Sequence, residues 1–129
     1  MENKNFKPGS IICQENLEGK EMYVIQSGKV KVYKTINSKK IDLITLKKND
    51  FFGEMCLLLG GPRTATVEAI EDTEVIILNK ENFLKKVQSD IKFADRILLT
   101  MARRVKELHR IITNLEGEKK SLEIIYGIK

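Results

Sequence analysis

Glu54 and Arg63 stand nine residues apart, on either side of the apolar run Met55-Cys56-Leu57-Leu58-Leu59 and its closing Gly60-Gly61-Pro62. A carboxylate and a guanidinium brought round one tight turn suit a ligand with a negative charge beside a hydroxyl. Arg63 offers a planar fork of donors that matches two phosphate oxygens. Glu54 repels the phosphate, so its role is to accept a hydrogen bond from a neighbouring hydroxyl. Gly53, lacking a Cβ, lets the backbone approach the ligand closely. A short helix starting at Glu54 would aim unpaired amides at an anion. The chemistry predicted is recognition of a small molecule with one phosphate beside a sugar hydroxyl. Catalysis has little support, because His109 is the only histidine. Neither a His and carboxylate metal cluster nor a Ser/His/Asp or Cys/His arrangement can be assembled around it. No metal and no enzyme activity are expected.

The elements that must hold these residues read as strands and then helices. Residues 22–26 and 30–33 flank Ser27-Gly28-Lys29, a turn in which Gly28 can take φ > 0, and are expected to form a hairpin. Val30, Val32 and Lys34 fall on one face of the second strand, with Lys31, Tyr33 and Thr35 on the other. Asn37-Ser38 turns the chain into a strand over 41–46, and Lys47-Lys48-Asn49-Asp50 leads to Phe51. Asn49 suits a left-handed turn position. Residues 65–70 and 74–78 form another expected pair, joined by Glu71-Asp72-Thr73. Short strands at this spacing predict a mainly β fold with C-terminal helices: a β jelly-roll sandwich plus a long C-terminal helix.

After Leu78 the period changes. Asn79 is placed to cap a short helix through Val87, and Ser89 or Asp90 to cap a much longer one. Ala94, Ile97, Met101, Leu108, Ile111 and Leu115 recur at near-heptad spacing, with Leu98, Val105 and Ile112 beside them. This stripe predicts a homodimer through the 94–115 helix, against the alternative of packing on the chain's own barrel. Gly117 breaks the helix, so residues 1–115 are expected to form one domain and 116–129 a helical or irregular tail.

Phe52-Gly53-Glu54, an apolar turn and Pro62-Arg63-Thr64-Ala65-Thr66-Val67 resemble the phosphate-binding cassette of cyclic nucleotide-binding domains. That family includes bacterial catabolite activator proteins, regulatory parts of cyclic-nucleotide-dependent kinases and cyclic-nucleotide-gated channels. Phe6-Lys7-Pro8-Gly9-Ser10-Ile11-Ile12 resembles the family's opening strand, and the stretch from Tyr23 to Tyr33 its first long hairpin. Met101-Ala102-Arg103-Arg104-Val105 is similar to its long C-terminal helix. The resemblance implies a cyclic purine mononucleotide as ligand, cyclic AMP slightly ahead of cyclic GMP. Arg63 would hold the phosphate and Glu54 the ribose 2′-hydroxyl, with backbone amides from Gly53, Cys56 and Ala65 and with Met55 in the same set. The Thr64 hydroxyl would bond a cyclic phosphate oxygen; in cyclic-GMP-dependent kinases the same R-T-A pattern also serves the guanine 2-amino group. Val32 and Leu43 match positions where relatives pack the base, although alternation alone would make them core. Arg104 and His109 lie where relatives reach over the ligand, but a solvated helix histidine is the preferred reading for His109. Cys56 departs from the usual Ala or Gly, and Asn49 from a frequent Gly.

Composition fits this reading. At 129 residues, 42% hydrophobic and 32% charged, the chain has room for one domain with a real core. Cys13 and Cys56 are far apart in sequence and read as reduced structural thiols. A net charge of +5 suits an anionic ligand, but the Lys pairs are dispersed and form no compact recognition surface. No apolar run approaches membrane length and the first residues form no secretory signal, so a cytoplasmic chain without membrane contact is expected. Transcription factors of the family continue into a helix-turn-helix that is not found in this sequence, so direct DNA binding is not expected. The competing reading is a dimerisation or interaction module of the same fold with an empty or differently used pocket.

Overall fold

In the computed structural model, which describes residues 2–116, the Val-, Ile-, Tyr- and Thr-rich first part of the chain resolves into strands, as β-branched and aromatic side chains favour. They are β1 (Glu2–Phe6), β2 (Ile11–Cys13), β3 (Met22–Ser27), β4 (Lys29–Ile36), β5 (Lys39–Lys47), β6 (Phe51–Phe52), β7 (Thr66–Ala69) and β8 (Thr73–Leu78). Three helices join them: α1 (Glu54–Leu59), α2 (Lys80–Ser89) and α3 (Ile91–Glu116). The strands form two four-stranded antiparallel sheets, β1-β8-β3-β6 and β2-β7-β4-β5. The mainly β sandwich with C-terminal helices that the sequence predicts is the fold found.

Two expected hairpins are corners instead. β3 and β4 lie in different sheets, and so do β7 and β8. A turn residue such as Gly28 marks a reversal but does not say whether the chain returns along the same sheet or crosses to the other. Gly28 sits at φ 92, and a Cβ there would come within 2.6 Å of the Thr73 Cα, so glycine is required twice over. The two corners are tied to one carbonyl: Lys29 O accepts from the Ile70 amide at 3.0 Å and from the Thr73 hydroxyl at 3.1 Å.

The true hairpin is β4–β5. Asn37 and Ser38 take φ 52 and φ 65, the paired left-handed conformation that a two-residue hairpin turn needs. Val32 pairs with Ile44 and Tyr33 with Asp42, which leaves Leu43 as the extra residue of a bulge in β5. β1 carries no alternating signal, since Glu2-Asn3-Lys4-Asn5 is polar throughout, and it adds to β8 as an exposed edge strand.

The sandwich core is one cluster from both sheets, in which Ile25, Val30 and Val75 are wholly buried beside Cys13, Tyr23, Leu46, Phe52, Val67 and Ile77. The Tyr23 and Phe52 rings stack with centroids 4.9 Å apart. Contacts divide the chain into one unit of Met1–Lys85, carrying the sandwich, and a second of Lys86–Lys129, carrying α3. Asn79 caps α2, its side-chain oxygen accepting the Asn82 amide at 2.8 Å. For α3 the cap is Asp90, which accepts the Phe93 amide at 3.0 Å; that bond holds the Asp90 carboxyl below its ordinary range. Residues 117–129 of the expected tail lie outside the described residues. No helix among the described residues is long and apolar enough to cross a membrane.

Candidate functional site

Phe51 and Phe52 are both buried, and their pairing with Val24 and Tyr23 fixes where the cassette begins. The chain then turns at Gly53, φ 85, into α1. This helix has no side-chain cap, so its first amides find no partner of that kind. It buries Glu54, Cys56 and Leu57 and leaves Met55, Leu58 and Leu59 exposed. Gly60 closes it by donating to Cys56 O at 2.9 Å, and Gly60 and Gly61 carry the chain round at φ 75 and φ 95. The Cys56 thiol donates to Pro62 O at 3.5 Å, so a side chain larger than the family's usual Ala or Gly is accommodated inside the turn.

The return strand is held by the loop after β2. The Asn16 amide donates to Arg63 O and the Arg63 amide to Leu17 O, both at 2.9 Å. The Thr66 hydroxyl accepts the Glu15 amide at 3.0 Å. Between these anchors the Arg63 side chain turns inward and is only 7% exposed. Its Nη1 donates to Glu21 O at 2.8 Å, and the guanidinium lies 5.7 Å from the Tyr23 ring centroid. Two glycines make room for it. A Cβ on Gly19 would overlap the guanidinium itself, and one on Gly53 would lie 3.0 Å from Nη1 and 2.7 Å from Glu21 O. A buried cation needs such partners, because desolvation is costly unless hydrogen bonds replace water.

Burial pushes the Cys13 thiol up to about 11 and the Tyr23 phenol up to about 12, while the nearby Arg63 guanidinium pulls both the other way. A hollow of about 360 Å³ lies between β2, the loop that follows it and the Arg63 side chain. That volume is within the range of small-molecule sites, about 300–1,000 Å³.

The residues singled out from sequence are distributed as follows. Gly53 and Arg63 come together, and Glu54 is buried at the first turn of α1 beside Gly53. Cys56 is buried and Met55 exposed. Thr64 is exposed, Ala65 half-buried, and Val32 packs against the core cluster from β4. Leu43, in its bulge, is 53% exposed, so it is not the core residue that alternation alone suggests. Arg104 is exposed and His109 half-buried on α3, in the second unit. Of the predicted set, only Arg63 lines the hollow. Sequence reasoning missed Gly19, the Glu21 carbonyl and the Tyr23 ring as the seat of Arg63. A backbone oxygen and a missing side chain leave no periodic or compositional mark. Among the described residues no group of His, Cys, Asp and Glu could hold a metal ion.

Comparison with known proteins agrees with this geometry. The family model for the cyclic nucleotide-binding domain matches residues 3–90. A cyclic AMP receptor protein of Thermus thermophilus is 28% identical over 129 residues, 99% of this chain and 60% of that protein. A cGMP-dependent protein kinase of Toxoplasma gondii is 41% identical over 78 residues, 60% of this chain but 7% of the kinase. The crystal structure of Thermus thermophilus catabolite activator protein superposes with a TM-score of 0.79 at 30% identity, over 88% of this chain and 54% of that one. The chain therefore spans 60% or less of these relatives' lengths. With its cassette, its sandwich and more than half its length matched, this chain belongs to the cyclic nucleotide-binding domain family.

Proposed function

We propose that this chain binds a cyclic purine mononucleotide, with cyclic AMP slightly ahead of cyclic GMP, as a cytoplasmic sensor whose ligand repositions the C-terminal helix. The buried, pre-seated Arg63 carries the reading, since a guanidinium enclosed by Gly19, Gly53, Tyr23 and Glu21 O awaits an anion inside a cassette of the right sequence. Arg63 takes the phosphate through two charge-assisted bonds. Glu54 accepts the ribose 2′-hydroxyl, the Thr64 hydroxyl and the amides of Gly53, Cys56 and Ala65 complete the phosphate contacts, and Met55 belongs to the same turn. Val32 and Leu43 meet the base, and Arg104 of α3 belongs to the proposed ligand-binding set. Signalling follows if the ligand binds one arrangement of α3 more tightly than another; equal affinity for both would shift nothing. Relatives named for cyclic AMP and for cyclic GMP both match this chain, which is why the base stays secondary in this reading. Homodimerisation through residues 94–115 is part of it; direct DNA contact and a metal are not.

A second reading, an interaction module with an empty or differently used pocket, draws support from the apolar residues α3 leaves exposed, among them Leu98 at 69% and Leu115 at 77%. Calorimetric titration of the chain with cyclic AMP and cyclic GMP at one salt concentration separates the two. Micromolar or tighter binding of either nucleotide, lost in Arg63→Ala, supports the sensor. Binding of neither, with association of the chain intact, supports the interaction module.

A further inference from the structure

Lys34 is the one basic residue on the inward face of β4. Side chains along a strand alternate, and Val30 and Val32 both turn toward the core, Val30 wholly buried and Val32 packed on the cluster. The bulge places its extra residue, Leu43, in β5. β4 therefore keeps its alternation, and Lys34 is the next inward side chain after Val32. Pairing of β4 with β7 runs through Val32↔Val67 and Tyr33↔Thr66, so Lys34 arrives where the cassette's return strand leaves the sheet. Its Nζ donates to Thr64 O at 2.8 Å and lies 3.6 Å from the Glu15 carboxylate. Glu15 is itself fixed, accepting the Thr35 amide at 3.0 Å with its side chain only 13% exposed.

An ammonium has three donors and no acceptor. Thr64 O and Glu15 take two directions, and the Lys34 side chain, 38% exposed, leaves the third open. Building on the proposed nucleotide site, the phosphate lies at Arg63 and the base against Val32. Lys34, two residues further along the same face and beside Thr64, then stands at the edge of the base. A guanine presents O6 and N7 there as adjacent acceptors, whereas an adenine presents N7 beside an amino donor. We propose that Lys34 is a base-reading residue whose own contribution favours a 6-oxopurine cyclic nucleotide over a 6-aminopurine one, working against the slight lead of cyclic AMP in the reading above.

The test is calorimetric titration of the whole chain, wild type, Lys34→Met and Lys34→Arg, with cyclic AMP, cyclic GMP and cyclic IMP. Cyclic IMP keeps O6 and N7 but lacks the 2-amino group, which removes any contribution of Thr64 to that group. Lys34→Met is expected to weaken cyclic GMP and cyclic IMP by about fivefold or more relative to cyclic AMP, roughly 1 kcal/mol. Lys34→Arg, still a donor, should keep the wild-type ratio. An equal loss for all three nucleotides would make Lys34 a support for the cassette or a phosphate contact, and unchanged affinities would place it outside the site; either result overturns the inference. Wild-type protein that binds none of the three would overturn the nucleotide site itself, and this inference with it.

Discussion

Gly19→Ala isolates the seat of Arg63 from everything else in the fold. The atoms nearest to a Cβ at Gly19 all belong to the Arg63 guanidinium group, and Gly19 is not among the residues with positive φ. An alanine backbone is therefore unstrained there, and the atoms its methyl group meets first are the far end of a flexible side chain. The strands need not move, but the guanidinium must. Leaving its seat, Arg63 gives up a charged hydrogen bond to Glu21 O, worth about 1.5–3 kcal/mol, and the face of Tyr23, worth about 0.5–1 kcal/mol. If nucleotide binding uses this placement, a displaced guanidinium forfeits its charge-assisted bonding to the phosphate, about 1.5–3 kcal/mol, or roughly 10- to 150-fold in affinity. Calorimetry gives the affinity, and a thermal melt monitored by circular dichroism confirms the fold. The double variant Gly19→Ala, Arg63→Ala adds a control: it should bind no worse than Arg63→Ala, because both changes act through one guanidinium. Nucleotide binding by folded Gly19→Ala within about twofold of wild type would refute the argument that this seat positions the phosphate ligand.

Two further predictions follow, one from burial and one from exposure. Cys13 and Tyr23 ordinarily lose protons near 9 and 10 but are pushed up to about 11 and about 12 by desolvation in the fold. The folded chain thus keeps protons that the unfolded chain releases, so stability is full below pH 9 and falls as pH rises toward 12. Urea midpoints should drop over that window, less so in Cys13→Ala at its lower end; a flat profile between pH 9 and 11 would contradict the burial of these two groups. On α3, Leu108 and Leu115 are 58% and 77% exposed, and a charge at either should abolish a helix-to-helix seam. At micromolar concentration the wild type is expected to sediment as a dimer and Leu108→Glu and Leu115→Glu as monomers; a monomeric wild type, or a dimer in both variants, would rule out the seam.

What could be read from the sequence was local. The cassette stands out because its chemistry is packed into one continuous stretch, and its turns announce themselves through Gly53, Gly60 and Gly61. Asn79 and Asp90 cap their helices as short polar residues before an apolar period should, and Asn49 takes its left-handed conformation at φ 75. The corners at Gly28 and Glu71-Asp72 look like hairpins in the sequence, because a turn signal is the same whether or not the flanking strands share a sheet. β1 was invisible, since a polar edge strand has no buried face to impose alternation. The partner of Arg63 is a carbonyl 42 residues away in sequence, supplied by a loop of ordinary polar composition. Carbonyls look alike in every residue, so this half of the site became visible only when the chain folded.

The cassette is held unevenly, and that bears on how a ligand could act on it. Its return strand is fixed along its length: Arg63 by both backbone groups to the loop after β2, Thr64 by Lys34, and Thr66 by Glu15. Arg63 is fixed again through its side chain, so little ordering entropy remains to be lost there when a phosphate arrives. α1 is different. It is six residues long without a side-chain cap, enters through Gly53, leaves through two left-handed glycines, and keeps Met55, Leu58 and Leu59 in solvent. Helices this short have little stability of their own. An anion bound at Arg63 therefore meets a rigid wall on the return-strand side and a deformable one on the side of α1. Amides at the start of α1 can close on the anion with exposed Met55 moving beside them, while buried Cys56 and Leu57 anchor the rest of the turn. A structural response to a ligand in this sandwich unit is therefore expected to begin in α1 rather than in the hydrogen-bonded return strand.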